Sequence, residues 1–99
     1  MITILRLAPG EDEVREFSIE NTEIDGYTAT AFFEVGSERI DLDTDEGIEV
    51  DEEEDVIRVS LTDEQTAALG AAGHFGRAQV WAKNGGTDMR LVRAALVVL

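Results

Sequence analysis

Hydrophobic and polar residues alternate with a period of two along most of this chain, and such alternation predicts half-buried strands rather than helices. The clearest example is residues 27–35, where every second side chain is small or apolar. The inward row predicted there is Ala29, Ala31, Phe33 and Val35, and the outward row is Thr28, Thr30, Phe32 and Glu34. By the same pattern, strands are predicted at residues 2–7, 14–19, 27–35, 39–43, 48–50, 57–61, 75–83 and 89–98.

Turn signals separate these segments. The runs Ala8-Pro9-Gly10, Gly36-Ser37 and Asn84-Gly85-Gly86 contain the residue types that tight turns require. Seven or eight short strands at spacings of about 8 to 12 residues are typical of an antiparallel β-sandwich. We therefore expect a single sandwich domain over residues 1–99. Its last strand is apolar on both sides, so it should lie centrally in a sheet or under a partner.

One short helix is predicted near residues 63–69. The run Thr62-Asp63-Glu64-Gln65 is typical of a helix start, because the threonine or the aspartate can cap the first turn and acids favour that end of the helix dipole. We expect about two turns over residues 65–69, closed by Gly70. Ala68 and Leu69 would then plug one open end of the sandwich.

The net charge of −14 is the unusual bulk property of the chain, and its distribution is uneven. Ten of the 22 acids fall in residues 41–55, whereas residues 70–99 hold four basic side chains and one acid. Phosphate binding requires clustered Lys and Arg, so we expect no nucleic acid and no anionic membrane as partner. The simplest interpretation of the acidic segment is a solvated loop that keeps the protein soluble and discourages edge pairing.

Other bulk features exclude several classes of site. The chain has no cysteine, which excludes disulfides, thiolate metal sites and a cysteine nucleophile. No apolar run approaches the roughly 18 residues of a membrane span. The N-terminal apolar stretch contains Arg6 and is too short and polar for a signal peptide, so we expect synthesis in the cytoplasm without secretion.

Several loose motifs over residues 24–99 resemble the immunoglobulin-like β-sandwich of bacteriophage and prophage tail proteins, including the N-terminal domain of phage baseplate upper proteins. The resemblance rests on a turn before the third strand, a strand ending in Leu-Thr, a short helix followed by glycine, and an Asn-Gly turn before an apolar final strand. These motifs are Ile24-Asp25-Gly26-Tyr27-Thr28-Ala29, residues 57–61, Glu64-Gln65-Thr66-Ala67-Ala68-Leu69 with Gly70, residues 75–80, and Asn84-Gly85. The chain departs from the pattern at Arg93-Ala94-Ala95, where relatives often carry glycine, and in its heavier acidic turn.

This resemblance implies a non-enzymatic structural protein of a phage or prophage virion. As a tail or baseplate component it would act through protein–protein interfaces with other virion or tail proteins, and a homo-oligomer would be possible. Its location would be the virion, after synthesis in the bacterial cytoplasm. The resemblance assigns no function to any single residue, and it implies no cofactor.

The acidic segment contains an imperfect match to a calcium-binding loop. An EF-hand loop needs carboxylates at positions 1, 3, 5 and 12, a glycine at position 6 and an aliphatic residue at position 8. The matching residues are Asp41, Asp43, Asp45, Ile48 and Glu52. Glu46 stands where the glycine belongs, Gly47 is displaced by one position, and the flanks read as strands. We therefore predict no specific metal site, and calcium binding remains an alternative.

Two further alternatives start from the acids and from the single histidine. An acidic protein can imitate DNA and inhibit a nucleic-acid-binding enzyme, but mimicry needs carboxylates spread over a face, whereas here they crowd into one loop. A stand-alone acidic binding module, either calcium-binding or DNA-mimicking, is thus the second hypothesis. His74 has no nucleophile or metal-ligand partner at a suggestive spacing, so we predict no catalytic residue and no enzyme.

The candidate interface residues lie on the last two predicted strands. Trp81 and Arg77 fall on one strand, and Arg90 and Arg93 on the next. Exposed Trp and Arg are common in the energetic centres of protein interfaces, so these four residues are predicted to form an anchor and its rim. In the alternative interpretation, the arginines neutralise the acidic loop or lay their stems over apolar neighbours.

Overall fold

The structure is a computed structural model that describes residues 3–18 and 26–99. These residues form eight strands and one helix. The elements are β1 Thr3–Leu7, β2 Glu13–Ser18, β3 Thr28–Val35, β4 Glu38–Asp43, β5 Ile48–Asp51, β6 Val56–Leu61, α1 Asp63–Ala72, β7 Phe75–Asn84 and β8 Thr87–Val98. Each predicted strand is present, and no bound differs by more than two residues from the expected one. Ile2, Ile19 and, apart from Gly26, the polar connection expected from Asn21 to Gly26 lie outside the described residues.

The strands form two sheets that confirm the predicted all-β sandwich. The five-stranded sheet has the order β1-β8-β7-β3-β4, and the three-stranded sheet has the order β2-β6-β5. In the lettering of immunoglobulin domains these orders correspond to a G-F-C-C′ arrangement, with β1 added beside G, and to B-E-D. The last strand is central between β1 and β7, which its apolar character on both sides predicted.

One strand pair departs from the predicted antiparallel pattern. Among the described strands, β1 and β8 run parallel, from Thr3 opposite Ala94 to Leu7 opposite Val98, whereas the other neighbours run antiparallel. The Leu99 N–H donates to the Leu7 carbonyl at 2.9 Å at the end of this pair. Leu5 and Leu7 reach the same core as Leu96 and Val98 in this arrangement, so the parallel pair closes the edge of the core.

The inward rows predicted from alternation form the core. Ala29, Ala31, Phe33 and Val35 are each at most 4% exposed, and the row on β6 is equally buried. The largest fully buried side chains come from both sheets and from the helix, namely Phe33, Leu7, Ile57, Leu69 and Leu96. The two inner faces and one helical leucine therefore enclose a single apolar interior.

The helix is longer than predicted, because Gly70 does not end it. The helix runs from Asp63 to Ala72, and the N–H of Gly73 closes it by donating to the Leu69 carbonyl at 3.2 Å. A Cβ atom at position 70 would lie 2.7 Å from Cβ of Pro9. Glycine at this position therefore permits close packing of the helix on the β1–β2 turn, and it is not a termination signal.

The sequence offered Thr62 or Asp63 as the residue that caps the start of the helix, and the structure selects Thr62. Thr62 is the cap residue: its Oγ1 accepts a hydrogen bond from the Gln65 N–H at 3.2 Å, and the Gln65 side chain accepts from the Thr62 N–H at 2.9 Å. Leu69 is fully buried as expected. Thr66 is equally buried, which the sequence did not indicate, and its hydroxyl accepts from the Gly10 N–H and donates to the Glu11 carbonyl.

No helix within the described ranges has the length and apolarity that crossing a membrane requires.

Candidate protein interface

The four predicted interface residues lie together on the solvent side of the five-stranded sheet, which we call the outer face. Trp81 pairs directly with Arg90 across β7 and β8, and Gln79 pairs with Arg93. Arg77 lies further along β7, on the same side of the strand. The structure therefore brings Trp81, Arg77, Arg90 and Arg93 onto one surface.

A β-bulge places Arg90 and Arg93 on the same face. Residues three apart in a regular strand point to opposite faces. Here the register shifts between Val80 and Trp81, because Val80 pairs with Val92 and Trp81 with Arg90, which leaves Leu91 as the extra residue. Without the bulge, regular alternation would direct one of the two arginines into the core. With it, both guanidinium groups lie on the outer face.

Two arginines and a glutamate form a cluster on Phe32 in the outer face. The guanidinium carbon of Arg39 lies 4.2 Å from the Phe32 ring centroid, and that of Arg77 lies 5.5 Å from it. Both arginines share the carboxylate of Glu34, at 2.9 Å from Arg77 Nε and 3.7 Å from Arg39 Nη1. One carboxylate therefore holds two guanidiniums over one aromatic ring, where cation–π attraction favours them.

Sequence reasoning placed Phe32 on the outward row but did not assign it to the interface. Alternation directed Phe32 outward, but a single outward aromatic residue does not by itself mark an interface. The pairing of Arg39, Glu34 and Arg77 depends on the alignment of β4, β3 and β7, in which Glu34 lies opposite both arginines. That alignment joins residues up to 43 positions apart in the chain.

Trp81 is half-buried and has a defined setting. Its indole N–H donates to Oε1 of Gln79 at 3.1 Å, and the guanidinium carbon of Arg90 lies 5.9 Å from the ring centroid. The indole thus satisfies its polar atom within the sheet surface and leaves part of its ring accessible.

A shallow depression lies on the outer face, and both aromatic residues, Phe32 and Trp81, line it. It has a volume of about 410 Å³ and is lined by residues of β3, β4, β7 and β8 that carry both signs of charge. The lining includes Thr30, Phe32, Arg39, Asp41, Trp81, Lys83 and Asp88. A surface with aromatic rings, mixed charge and shallow relief suits contact with another macromolecule.

Two of the predicted interface arginines, Arg77 and Arg93, do not neutralise the acidic segment. Arg77 bonds Glu34, which lies outside residues 41–55, and Arg93 makes no ion pair with any described residue. Part of the acidic segment is instead neutralised by Arg58 of the other sheet. Its Nη1 lies 2.7 Å from Asp51 and 3.2 Å from Glu49.

This pairing changes the ionisation of Asp51. The hydrogen bond from Arg58 lowers the pKa of the Asp51 carboxyl below its ordinary value, and the N–H groups of Glu54 and Glu53 act in the same direction. A carboxyl whose pKa is lower in the folded than in the unfolded state stabilises the fold when both states are ionised. That contribution is present above about pH 4, and it is lost as the pH falls through the lower folded pKa.

We therefore expect Asp51→Asn to melt at a lower temperature than the unsubstituted protein at neutral pH, with the difference shrinking steadily below about pH 4. Thermal melts followed by circular dichroism over a pH series measure it. Glu53→Gln removes one charge from the same turn without touching Arg58, so it serves as the control. A difference between Asp51→Asn and the unsubstituted protein that stays constant in acid would contradict the pairing.

Three of the four carboxylates of the partial calcium motif contact other groups of the protein. Oδ1 of Asp43 accepts the N–H groups of Asp45 and Glu46 at 2.9 and 3.0 Å, which closes the turn between β4 and β5. The Asp41 carboxylate contacts Arg39 Nε at 3.1 Å, and Glu52 accepts from the Gly26 N–H at 3.3 Å. Over residues 3–18 and 26–99, no three or more His, Cys, Asp or Glu side chains converge as metal ligands would.

His74 lies in the connection between α1 and β7. Its Nδ1 lies 3.0 Å from the Val98 carbonyl, and its own carbonyl accepts the Val98 N–H at 2.8 Å. The residue thereby ties the start of β7 to the end of β8.

Comparison with protein-family models and with curated proteins gave no match for this chain.

Proposed function

We propose that this chain is a non-enzymatic assembly protein that binds its partners through the outer face of the five-stranded sheet. The observation that carries the proposal is the arrangement of Trp81 and Phe32 among arginines on a solvent-facing sheet surface. Aromatic residues and arginine are enriched in protein interfaces and supply most of their energetic hot spots.

The outer face is prepared for binding in a way that limits the entropic cost. A free arginine side chain loses up to about 2 kcal/mol of rotamer freedom when it is immobilised. Arg39 and Arg77 are already held by Glu34 and by the Phe32 ring, so part of this freedom is lost before a partner arrives. Preorganised groups of this kind raise affinity by lowering the cost of ordering on contact.

For the biological setting we propose the tail or baseplate of a phage or prophage virion. The support is the resemblance of the motifs over residues 24–99, together with the sandwich architecture on which those motifs fall. In that setting the partners are other virion or tail proteins. Tail or portal genes beside the gene for this chain would add support, whereas restriction or nuclease genes would favour a DNA mimic.

Trp81→Ala is expected to reduce incorporation of the chain into particles at least tenfold, because truncation of a hot-spot residue typically costs about 2 kcal/mol or more of binding. Particles purified from a host that expresses the variant would be quantified by mass spectrometry of peptides from this chain. The melting temperature should change by only a few degrees, since the indole is partly exposed.

Glu64→Ala, an exposed substitution on the helix, is the matched control and should enter particles normally. Two results would contradict the proposal. In one, Trp81→Ala particles contain the same amount of the chain as unsubstituted particles. In the other, the variant unfolds at the growth temperature, which would make Trp81 a determinant of stability.

A further inference from the structure

Basic side chains are concentrated on one side of the molecule. Of the eight lysines and arginines in the chain, six lie at outward positions of the five-stranded sheet, namely Arg6, Arg39, Arg77, Lys83, Arg90 and Arg93. Four carboxylates share this surface, from Glu34, Asp41, Asp43 and Asp88. Six cations against four anions leave the outer face net positive on a chain whose net charge is −14.

The opposite side of the sandwich has the reverse composition. The outward side chains of the three-stranded sheet include Glu16, Glu49 and Asp51 around a single cation, Arg58. Glu52, Glu53 and Glu54 extend this negative surface beyond the end of β5. Val14 is 51% exposed on the same side and provides an apolar contact. We call the outward surface of β2, β6 and β5 the acidic face.

We infer that the outer face of one copy receives the acidic face of a second copy of this chain. This inference rests on the proposed function as an assembly protein and names its partner. The two surfaces carry opposite net charge, and each offers exposed apolar area beside its charged groups. Complementary charge fixes orientation and register in such contacts.

The two faces lie on opposite sides of the same domain, so the contact joins different surfaces of the two copies. A contact of this type leaves one free outer face and one free acidic face, and it propagates into a ring or a linear stack. Each copy is strongly negative, so global repulsion opposes association. At physiological salt a Debye length of about 8 Å confines charge effects to the contact itself.

The contact is small. Three strands about 4.8 Å apart and about 20 Å long present roughly 300 Å², well below the approximately 800 Å² per partner of a stable interface. We therefore expect reversible association at protein concentrations of roughly 0.1 to 1 mM, of the kind that a larger assembly reinforces.

Mixing two variants tests the inference. Arg90→Glu with Arg93→Glu disables the outer face and leaves the acidic face intact; Glu16→Gln with Glu49→Gln does the reverse and keeps the bond between Arg58 and Asp51. In sedimentation velocity, the unsubstituted chain should show a series of oligomers of increasing size. These oligomers should dissociate in about 1 M salt, where the Debye length falls to about 3 Å. Each variant alone should remain monomeric, and their mixture should form a dimer that grows no further.

The controls separate this inference from the proposed function. Glu11→Gln with Glu64→Gln changes the net charge as much as the acidic-face variant does, and it should associate like the unsubstituted chain. If the outer-face variant fails to keep a normal melting curve, the milder Arg93→Gln replaces it and should weaken association several-fold, because Arg93 has no ion pair with a described residue to lose. A monomeric unsubstituted chain, or variants that are not rescued by mixing, would overturn the stacking contact, whereas Trp81→Ala in particles would still test assembly through another partner.

Discussion

Phe33→Ala is expected to remove most of the stability of the domain. Phe33 is 1% exposed and is the largest of the fully buried side chains. Truncation of a buried phenylalanine to alanine costs about 3 to 5 kcal/mol, because apolar contacts are lost and a cavity remains. The free energy of unfolding of a small domain is about 5 to 15 kcal/mol in total, so the melting temperature should fall by roughly 15 to 30 °C.

The adjacent residue provides a matched control. Phe32 has the same side chain on the same strand but lies on the outer face, where it supports two arginines. Phe32→Ala should therefore cost about 1 kcal/mol, in the range of exposed cation–π contacts. Thermal melts of the two variants measure the contrast directly. Equal losses of melting temperature in both would contradict the assignment of β3 side chains to opposite faces.

Gly76→Ala is expected to disrupt the pairing of β3 and β7. A Cβ atom at position 76 would lie 1.9 Å from the Glu34 carbonyl oxygen and 2.8 Å from Cγ2 of Val35. The first of these contacts is with backbone, so it cannot be relieved by rotating a side chain. The strands must separate locally, and we expect a loss of at least about 3 kcal/mol, at the upper end of overpacking effects.

Gly86→Ala is the control for this prediction, because a Cβ atom there would meet no heavy atom within 4 Å. Chemical denaturation of both variants gives the two free energies of unfolding, and Gly86→Ala should lie within about 1 kcal/mol of the unsubstituted protein. A mild effect of Gly76→Ala would show that β7 does not approach β3 as closely as described.

Alternation predicted the inward and outward rows because it follows directly from strand geometry. A strand directs successive side chains to opposite faces, so the buried set on β3 and that on β6 could be identified without knowing their neighbours. The Asn84-Gly85-Gly86 signal was equally local. It joins β7 to β8 through a turn in which Gly85 has a φ of 63°, a conformation that glycine tolerates.

The expectations that failed depend on contacts between distant segments. Gly70 resembles a helix terminator in sequence, yet it lies inside the helix, where the lack of a side chain lets Pro9 pack closely. Alternation is identical for parallel and antiparallel strands, so it could not give the direction of β1 beside β8. Burial of Thr66 likewise depends on the β1–β2 turn, whose backbone its hydroxyl contacts.

The candidate interface was predicted in composition but not in arrangement. The sequence identified Trp81 and three arginines on neighbouring strands. It could not show that a bulge at Val80 and Trp81 turns Arg90 and Arg93 to one side, or that Glu34 lies between two arginines. Both features arise from strand register, and a one-residue slip in register would have placed these groups on opposite faces.

The most direct test of the proposed interface on the outer face uses Trp81 itself, the single tryptophan of the chain. Its fluorescence, excited selectively, reports the environment of the outer face. In the isolated chain, acrylamide should quench the emission readily; in the assembled state, quenching should fall several-fold and the emission should shift to shorter wavelength. Quenching that is weak in the isolated chain, or unchanged on assembly, would contradict the claim that proteins meet on this face.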